Sequence, residues 1–230
     1  MTGPAPGEGL PSRDLVDVRL AAAIALGGCA VCAVRARSER ATLDAIIAER
    51  VLDIGFREGL EREHGFCRRH SAELLEANRQ ASGSLGSSIL FGAIVERRAA
   101  SIRAALGARG RGRRQRLTDA ARRPPCIACG QGASGVDIAL ARLVQRSADP
   151  AWAAAMLEIP FCLDDLTALL AAAEDEASFA PIAAHHLARL DDLRRRLGDF
   201  VDHSAQDRRH LLTDEERSAA DEAARLLGGD

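Results

Sequence analysis

Six cysteines stand in a pattern that predicts metal binding. The first half of the chain has a Cys-x-x-Cys pair and then a Cys-x-x-His pair, and the second half has a Cys-x-x-Cys pair and then a cysteine followed three residues later by aspartate. This spacing lets one short segment supply two adjacent ligands to tetrahedral zinc, which accepts thiolate, imidazole and carboxylate donors. The candidate ligands are Cys29, Cys32, Cys67 and His70 in the first half, and Cys126, Cys129, Cys162 and Asp165 in the second.

We expect each half to build its own site, Cys₃His in the first and Cys₃Asp in the second. Both Cys-x-x-Cys pairs begin helical patterns, where free N–H groups and the helix dipole favour thiolate. Cys₃Asp is an uncommon zinc set. Asp164 is a neighbouring alternative to Asp165, and a degenerate site kept only for packing is the competing interpretation. A third possibility is an open fourth position, which would make this site labile or reactive. In the first half, the competing interpretation is buried free cysteines or a redox pair.

Zinc is the expected ion, and an iron–sulfur cluster is the alternative, because three cysteines with a fourth ligand also suit [4Fe–4S]. Disulfides would require export. The residues before Cys29 resemble a lipoprotein signal, but Asp14 and Asp17 stand where positive charge is needed. No apolar run approaches the length of a membrane span. We therefore expect a cytoplasmic protein without a membrane segment.

Composition indicates an ordinary globular protein with one basic segment. The chain has 230 residues, 47% of them hydrophobic, with a formal net charge of −2, so the whole molecule has no field that attracts nucleic acid. Residues 107–125 contain seven arginines and one acid, Asp119. This pattern predicts a flexible exposed linker, and the alternative is phosphate contact through Arg109–Arg116.

Apolar residues recur with helical rather than alternating spacing, which predicts an all-α helical bundle. Asp14 is a candidate N-cap, and Thr213 with Glu216 forms a capping box. We expect a disordered tail (1–13), a first metal-binding repeat (14–106), the linker (107–125) and a second repeat with C-terminal helices (126–230). The helix before the linker is expected to bury Phe91, Ile94, Val95, Ile102 and Leu106.

The two halves share more than their cysteines. A shift of 97 positions carries Cys29, Cys32, Leu43, Ile46 and Ile47 to Cys126, Cys129, Leu140, Leu143 and Val144. A shift of 95 positions carries Phe66, Cys67, His70, Leu74 and Leu75 to Phe161, Cys162, Asp165, Leu169 and Leu170. Candidate ligands and candidate core residues move together, which predicts an internal duplication of one helical unit.

The order of these motifs resembles an uncharacterised family of bacterial proteins of about this length, a domain of unknown function. Cys-x-x-Cys, Gly-Phe-Cys-x-x-His, Cys-x-x-Cys and Cys-Leu-x-x-Leu follow one another here, and the segment from Phe200 to Arg217 is similar to the family's C-terminal part. In the family, proline often follows the first cysteine of a Cys-x-x-Cys pair, where this chain has Ala30 and Ile127. The second single cysteine of the family is followed by Pro-His, and this chain has Asp165 in place of that histidine. The resemblance implies a helical metal-binding protein and no particular activity.

The remaining histidines carry weaker expectations. His185 or His186 could add a ligand, and His203 with His210 could form a polar site, but packing and solvated faces are the favoured interpretations. His64 is expected to face solvent. Arg194–Arg196 are expected to pair with Asp191, Asp192 and Asp199 along one helix.

No phosphate-binding loop, nucleophile elbow or zinc-protease motif is present in the sequence. We therefore expect a non-enzymatic zinc protein that acts through a protein partner, with a homodimer allowed. The alternatives are an iron–sulfur or thiol redox sensor and a zinc protein that binds nucleic acid.

Overall fold

The computed structural model describes residues 7, 9–63, 65–122, 126–173, 175–205 and 207–228, without the side chain of residue 82. These residues form eleven α-helices and no strand, which confirms the all-α prediction. Most of the expected disordered tail, residues 1–6 and 8, lies outside the described part, and so does His64. None of the described helices alone is long and apolar enough to cross a membrane, although the bent pair Leu15–Ala25 and Ala30–Arg50 passes by length and composition.

The α-helices have the following bounds: α1 Leu15–Ala25, α2 Ala30–Ala45, α3 Ile54–Arg62, α4 Arg68–Ser82, α5 Leu85–Gly107, α6 Arg111–Ala121, α7 Ile127–Arg146, α8 Pro150–Glu158, α9 Leu163–Ala172, α10 Glu176–His203 and α11 Asp214–Gly228. A π-helical turn, Ile46–Arg50, continues α2, and a 3₁₀ turn, Arg209–Leu211, precedes α11. The predicted caps are confirmed. Asp14 accepts from the backbone of Val16 and Asp17, and Thr213 and Glu216 exchange hydrogen bonds at 3.1 and 3.2 Å.

The chain divides into two compact units that differ from the two consecutive halves expected from the sequence. The terminal unit comprises Met1–Ala36 and Gly135–Asp230, and the central unit comprises Arg37–Ser134. Each unit therefore combines segments from both halves of the sequence.

In the terminal unit, an apolar core positions the segments that carry cysteines. Its most buried members include Leu20, Val31, Leu143, Trp152 and Phe161. Burying a side chain of this size contributes about 1.5–3 kcal/mol. Val31 lies between Cys29 and Cys32, and Phe161 directly precedes Cys162, so packing of these two residues fixes the backbone on which three candidate ligands stand.

In the central unit, Phe66 has the corresponding place before Cys67. It is buried with Leu43, Leu74 and Leu90. Gly65 adopts a φ of +81°, and a Cβ atom there would approach the Ile94 side chain to 2.7 Å. Both constraints favour glycine, because L-residues are strained at this φ and a side chain would displace Ile94. The Gly-Phe dipeptide thus turns the chain into α4 and places Cys67 at its start.

Two structural expectations are wrong. Residues 111–121 of the expected linker form α6, while residues 123–125 lie outside the described part. The Arg, Gln, Leu and Ala residues of this segment have good helix propensity, and Arg98 of α5 donates to the carbonyl of Ala120. On α5, Val95, Ile102 and Leu106 are exposed, because the helix buries the face that carries Leu90 and Ala105 instead.

Candidate metal centres

A first cluster of candidate ligands, which we call the histidine site, lies in the central unit. It comprises Cys67, His70, Cys126 and Cys129, whose ligand atoms all lie within 4.8 Å of one another. The His70 Nδ1 atom lies 3.3, 3.1 and 3.3 Å from the sulfurs of Cys67, Cys126 and Cys129. Cys67 is the N-cap of α4 and His70 stands in its first turn, while Cys126 and Cys129 bracket the start of α7. Two helix N-termini therefore converge on one point.

A second cluster, which we call the aspartate site, lies in the terminal unit. It comprises Cys29, Cys32, Cys162 and Asp165, again with all ligand atoms within 4.8 Å. The Oδ2 atom of Asp165 lies 3.3, 3.1 and 3.2 Å from the sulfurs of Cys29, Cys32 and Cys162. Cys29 directly precedes α2, and Cys162 is the N-cap of α9. This site repeats the architecture of the histidine site with a carboxylate in place of the imidazole.

The structure brings all eight predicted residues into these clusters but pairs them differently from the expectation. Each Cys-x-x-Cys pair meets the Cys-x-x-His or Cys-x-x-Asp pair of the other sequence half. Asp165 rather than Asp164 faces the sulfurs, because Asp165 is buried in the first turn of α9 whereas Asp164 is exposed. The pairing differs from the expectation because the core of each unit contains residues from both halves of the sequence. Each ligand pair lies beside one of these core residues, and the packing of the core residue decides which other pair it meets.

The thiols of both sites are electrostatically coupled. In the histidine site, burial opposes ionisation of Cys126, yet hydrogen bonds from the Cys67 and Cys129 backbones and from the Cys129 and His70 side chains lower its pKa to about 7. Burial, then the hydrogen bond and charge of Cys126, raise the pKa of Cys129 to about 12. One thiolate is thus favoured, and a second is opposed until a cation compensates its charge.

The aspartate site shows the same coupling more strongly. Burial is the largest cause that raises the pKa of Cys32, and the neighbouring Asp165 and Cys29 raise it further. Burial and the same two neighbours raise the pKa of Cys162 to about 11, against the opposing hydrogen bond from the Asp165 backbone. Without a cation these groups therefore retain protons, and binding of a divalent ion would release them.

Glu39 supports the imidazole of the histidine site, and nothing in the motif spacing pointed to it. This buried carboxylate has its Oε2 atom 3.3 Å from His70 Nε2, on the far side of the ring from the sulfurs. It also accepts a hydrogen bond of 2.7 Å from Arg69. The approach does not have hydrogen-bond geometry, since the buried Nε2 atom has no hydrogen-bond partner among the described residues. Glu39 is nevertheless the carboxylate placed to complete a carboxylate–histidine–metal relay of the kind found in many zinc sites, in which the carboxylate fixes the tautomer and raises ligand basicity.

Gly132 makes room for that carboxylate. A Cβ atom at this position of α7 would lie 2.6 Å from Glu39 Oε1. A side chain would therefore push Glu39 away from His70 and Arg69.

Arg35 is the charged neighbour of the fourth ligand in the aspartate site, and its charge is opposite to that of Glu39. Its Nη2 atom lies 3.6 Å from Asp165 Oδ1, the oxygen that does not face the cysteines. The Arg35 side chain is 38% exposed and that of Asp165 is 3% exposed. A guanidinium there stabilises the carboxylate charge and competes with a metal for it.

The other predicted histidines lie outside both clusters. His186 is buried and its Nε2 atom lies 3.0 Å from the Met156 carbonyl, consistent with Nε2–H donating to it. His203 contacts Glu216 at 3.1 Å, and His210 is exposed. The predicted ion pairs of Arg194–Arg196 with Asp191, Asp192 and Asp199 are present on α10.

Comparisons with protein-family models, curated proteins and solved structures found no match. The resemblance to a bacterial family therefore stays a prediction, carried by the motifs alone.

Proposed function

We propose that this protein is a non-enzymatic helical protein that binds two divalent metal ions, zinc in both sites, and uses them to hold its helices in place. The convergence of four ligand atoms within 4.8 Å in each site carries the proposal. Each ion would join two helix starts that are distant in the sequence. Metal binding at a closed site of this type contributes on the order of 10 kcal/mol of apparent folding free energy.

Interatomic distances favour a single ion over a cluster. In a tetrahedral zinc site, bonds of about 2.3 Å to sulfur place two sulfurs about 3.8 Å apart. The Cys32–Cys162 and Cys67–Cys129 sulfur pairs are separated by 3.7 and 3.9 Å, and the Cys126–Cys129 pair is closer, at 3.3 Å. A [4Fe–4S] cluster binds each ligand to a different iron, which separates the ligand atoms further. An iron–sulfur or thiol redox sensor is therefore the lesser alternative.

The four-ligand sets also support a non-enzymatic role, because a closed zinc site leaves no coordination position for a substrate. Within this proposal the protein is cytoplasmic and acts by binding a protein partner or a second copy of itself. Sedimentation of the metal-loaded and metal-free chain tests the homodimer.

Metal analysis of protein purified without oxygen tests the proposal. We expect about two zinc ions per chain, no visible absorbance, and loss of helical circular dichroism with release of thiols when a chelator is added. Stoichiometric iron with a broad visible absorbance would favour the redox alternative. A chain that binds no metal when refolded with zinc would overturn the proposal.

Nucleic-acid binding is a second candidate function, favoured by the finding that the expected linker is a helix. Six arginines in and beside α6 are exposed, and Asp119 is the one acid in the described stretch 107–122; the arginines are Arg109, Arg111, Arg113, Arg114, Arg116 and Arg122. No aromatic residue accompanies them to stack bases, so contact would be with the phosphates of a duplex. Binding should fall steeply with salt and disappear when Arg111, Arg113 and Arg114 are replaced by glutamate. Salt-independent binding would contradict this candidate.

A further inference from the structure

We propose that the aspartate site is an exchangeable metal site that yields its ion to small carboxylate-bearing thiols, while the histidine site retains its ion. This inference rests on the proposed function, since both sites must bind metal. It concerns the difference between them.

The ligand sets differ in charge. Three thiolates and a neutral imidazole leave a bound divalent ion with a net charge of −1 at the histidine site. Three thiolates and a carboxylate leave −2 at the aspartate site. Asp165 and Cys32 are buried, and excess charge is costly in a desolvated setting. Repulsion among four anionic ligands therefore weakens the bond between the metal and the carboxylate, compared with a neutral imidazole in the same role.

The neighbouring charges act in opposite directions on the fourth ligand. Glu39 lies 3.3 Å from His70 Nε2, and its negative charge there favours the imidazole as a metal ligand. Arg35 lies 3.6 Å from Asp165 Oδ1 and offers the carboxylate another cationic partner. A charged neighbour of the fourth ligand thus supports ligand binding in one site and ligand departure in the other.

A cavity of about 370 Å³ in the terminal unit borders the aspartate site at Cys29. Cys29, which is half-buried, lines it together with the Gly27-Gly28 turn, Arg189 and Arg225. Two carboxylates, Glu158 and Glu222, also border the cavity, and Glu222 is engaged by Arg196 at 2.8 Å. The two arginines suit the carboxylate of a small ligand whose thiol lies near Cys29.

The exchange step is a ligand substitution with no change in oxidation state. The incoming thiol would release its proton to solvent, and its thiolate would replace Asp165 Oδ2 on the metal, so that the freed carboxylate pairs with Arg35. Three further thiols would each replace one cysteine and transfer their proton to the cysteine thiolate released, so that the ion leaves bound to the external thiolates.

Zinc release from the loaded full-length protein tests the inference. Protein carrying two zinc ions is mixed with the chromogenic chelator 4-(2-pyridylazo)resorcinol, alone or with mercaptopropionate or mercaptoethanol. We expect one equivalent to leave at least about tenfold faster than the other. Mercaptopropionate should accelerate this fast phase more than its uncharged analogue does, and Arg189→Gln with Arg225→Gln should remove the difference.

Exchange of the fourth ligand identifies the site. Asp165→His should slow the fast phase about tenfold or more, and the matched control Asp164→His, at an exposed neighbour, should leave it unchanged. Arg35→Gln, which alters no proposed ligand, should also slow release of the fast phase. If Asp165→His does not fold, Arg35→Gln alone tests whether the fast phase comes from the aspartate site. Equal slow release of two zinc ions, or a fast phase unaffected by Arg35→Gln, would overturn this inference and leave the proposed function standing. A chain that binds no zinc would overturn both.

Discussion

At the residue scale, the proposed function predicts that Glu39 controls metal affinity at the histidine site. The carboxylate is buried, receives a hydrogen bond from Arg69 and faces His70 Nε2. Replacement of Glu39 by glutamine preserves its volume and removes its charge. Removal of such a partner typically lowers metal affinity ten- to hundredfold.

We therefore expect Glu39→Gln to lower zinc affinity about 10- to 100-fold at the histidine site, measured by competition with a chelator of known affinity. Glu73→Gln is the matched control, because Glu73 is 40% exposed and lies 3.8 Å from the same nitrogen. Equal affinities for wild type and Glu39→Gln would contradict the relay.

Gly132 gives an independent test of the same contact. Gly132→Ala should reproduce the affinity loss of Glu39→Gln, because the new methyl group displaces the Glu39 carboxylate. Gly130→Ala, at a helical position with open space around it, should have no effect on affinity. If both alanine variants bind zinc with wild-type affinity, the position of Glu39 beside His70 does not contribute to zinc affinity.

At the element scale, a buried ion pair joins α1 to α7 within the terminal unit. Asp17 is fully buried and accepts from Arg146, from Arg142 at 3.1 Å and from the backbone of Arg13 at 2.7 Å. Removal of one partner from such a pair leaves an uncompensated buried charge.

Asp17→Ala should accordingly reduce the free energy of unfolding by about 3–5 kcal/mol, measured by denaturant titration of the zinc-loaded protein. Asp137→Ala, at an exposed position of α7, is the control and should change it by less than about 0.5 kcal/mol. A loss below about 1 kcal/mol for Asp17→Ala would show that the pair is dispensable.

His186 links α10 to α8 and makes stability depend on pH. Burial lowers the pKa of His186 below 6.5, and the charges of Arg189 and His185 act in the same direction against the hydrogen bond to Met156. As pH falls through 6.5, the unfolded chain binds a proton at this position before the folded chain does. The contribution of neutral His186 is therefore present above this pH and declines below it.

Zinc-loaded wild type should lose more stability between pH 7 and pH 5 than His186→Leu does, because the leucine variant lacks this titration. Denaturant titrations at several pH values measure the difference. His210→Gln, at an exposed histidine, should follow the wild-type slope. If the free energy of unfolding of His186→Leu falls with pH as much as that of wild type, His186 is not the group responsible for the pH dependence.

At the scale of the whole molecule, the sequence predicts much of the fold and the types of ligand. Caps such as Asp14 and the spacing within each ligand pair are local, so propensity and periodicity are sufficient for them. Which two pairs meet is set by packing between distant segments, such as Phe161 and Val31 in one core. Two-residue spacing contains no information about that choice.

Residues that support the sites were beyond sequence analysis for a similar reason. Glu39 is one of several charged residues on α2, and only burial against Gly132 and His70 distinguishes it. Nothing in the sequence marks Asp17 as buried, because its partners Arg142 and Arg146 are more than a hundred positions away along the chain. The high charge of residues 107–125 predicts a flexible linker, whereas their helix propensity favours the helix α6 that the structure contains.

Paired cysteine replacements test the central claim, that each metal is bound by ligands from both sequence halves. The metal content of Cys29→Ser with Cys162→Ser is compared with that of Cys29→Ser with Cys67→Ser. We predict that the first variant, which damages the aspartate site alone, retains about one tightly bound zinc ion per chain, and that the second retains none. If instead the variant with Cys29 and Cys67 replaced keeps one ion and the other keeps none, the ligands pair within each half and the account is contradicted.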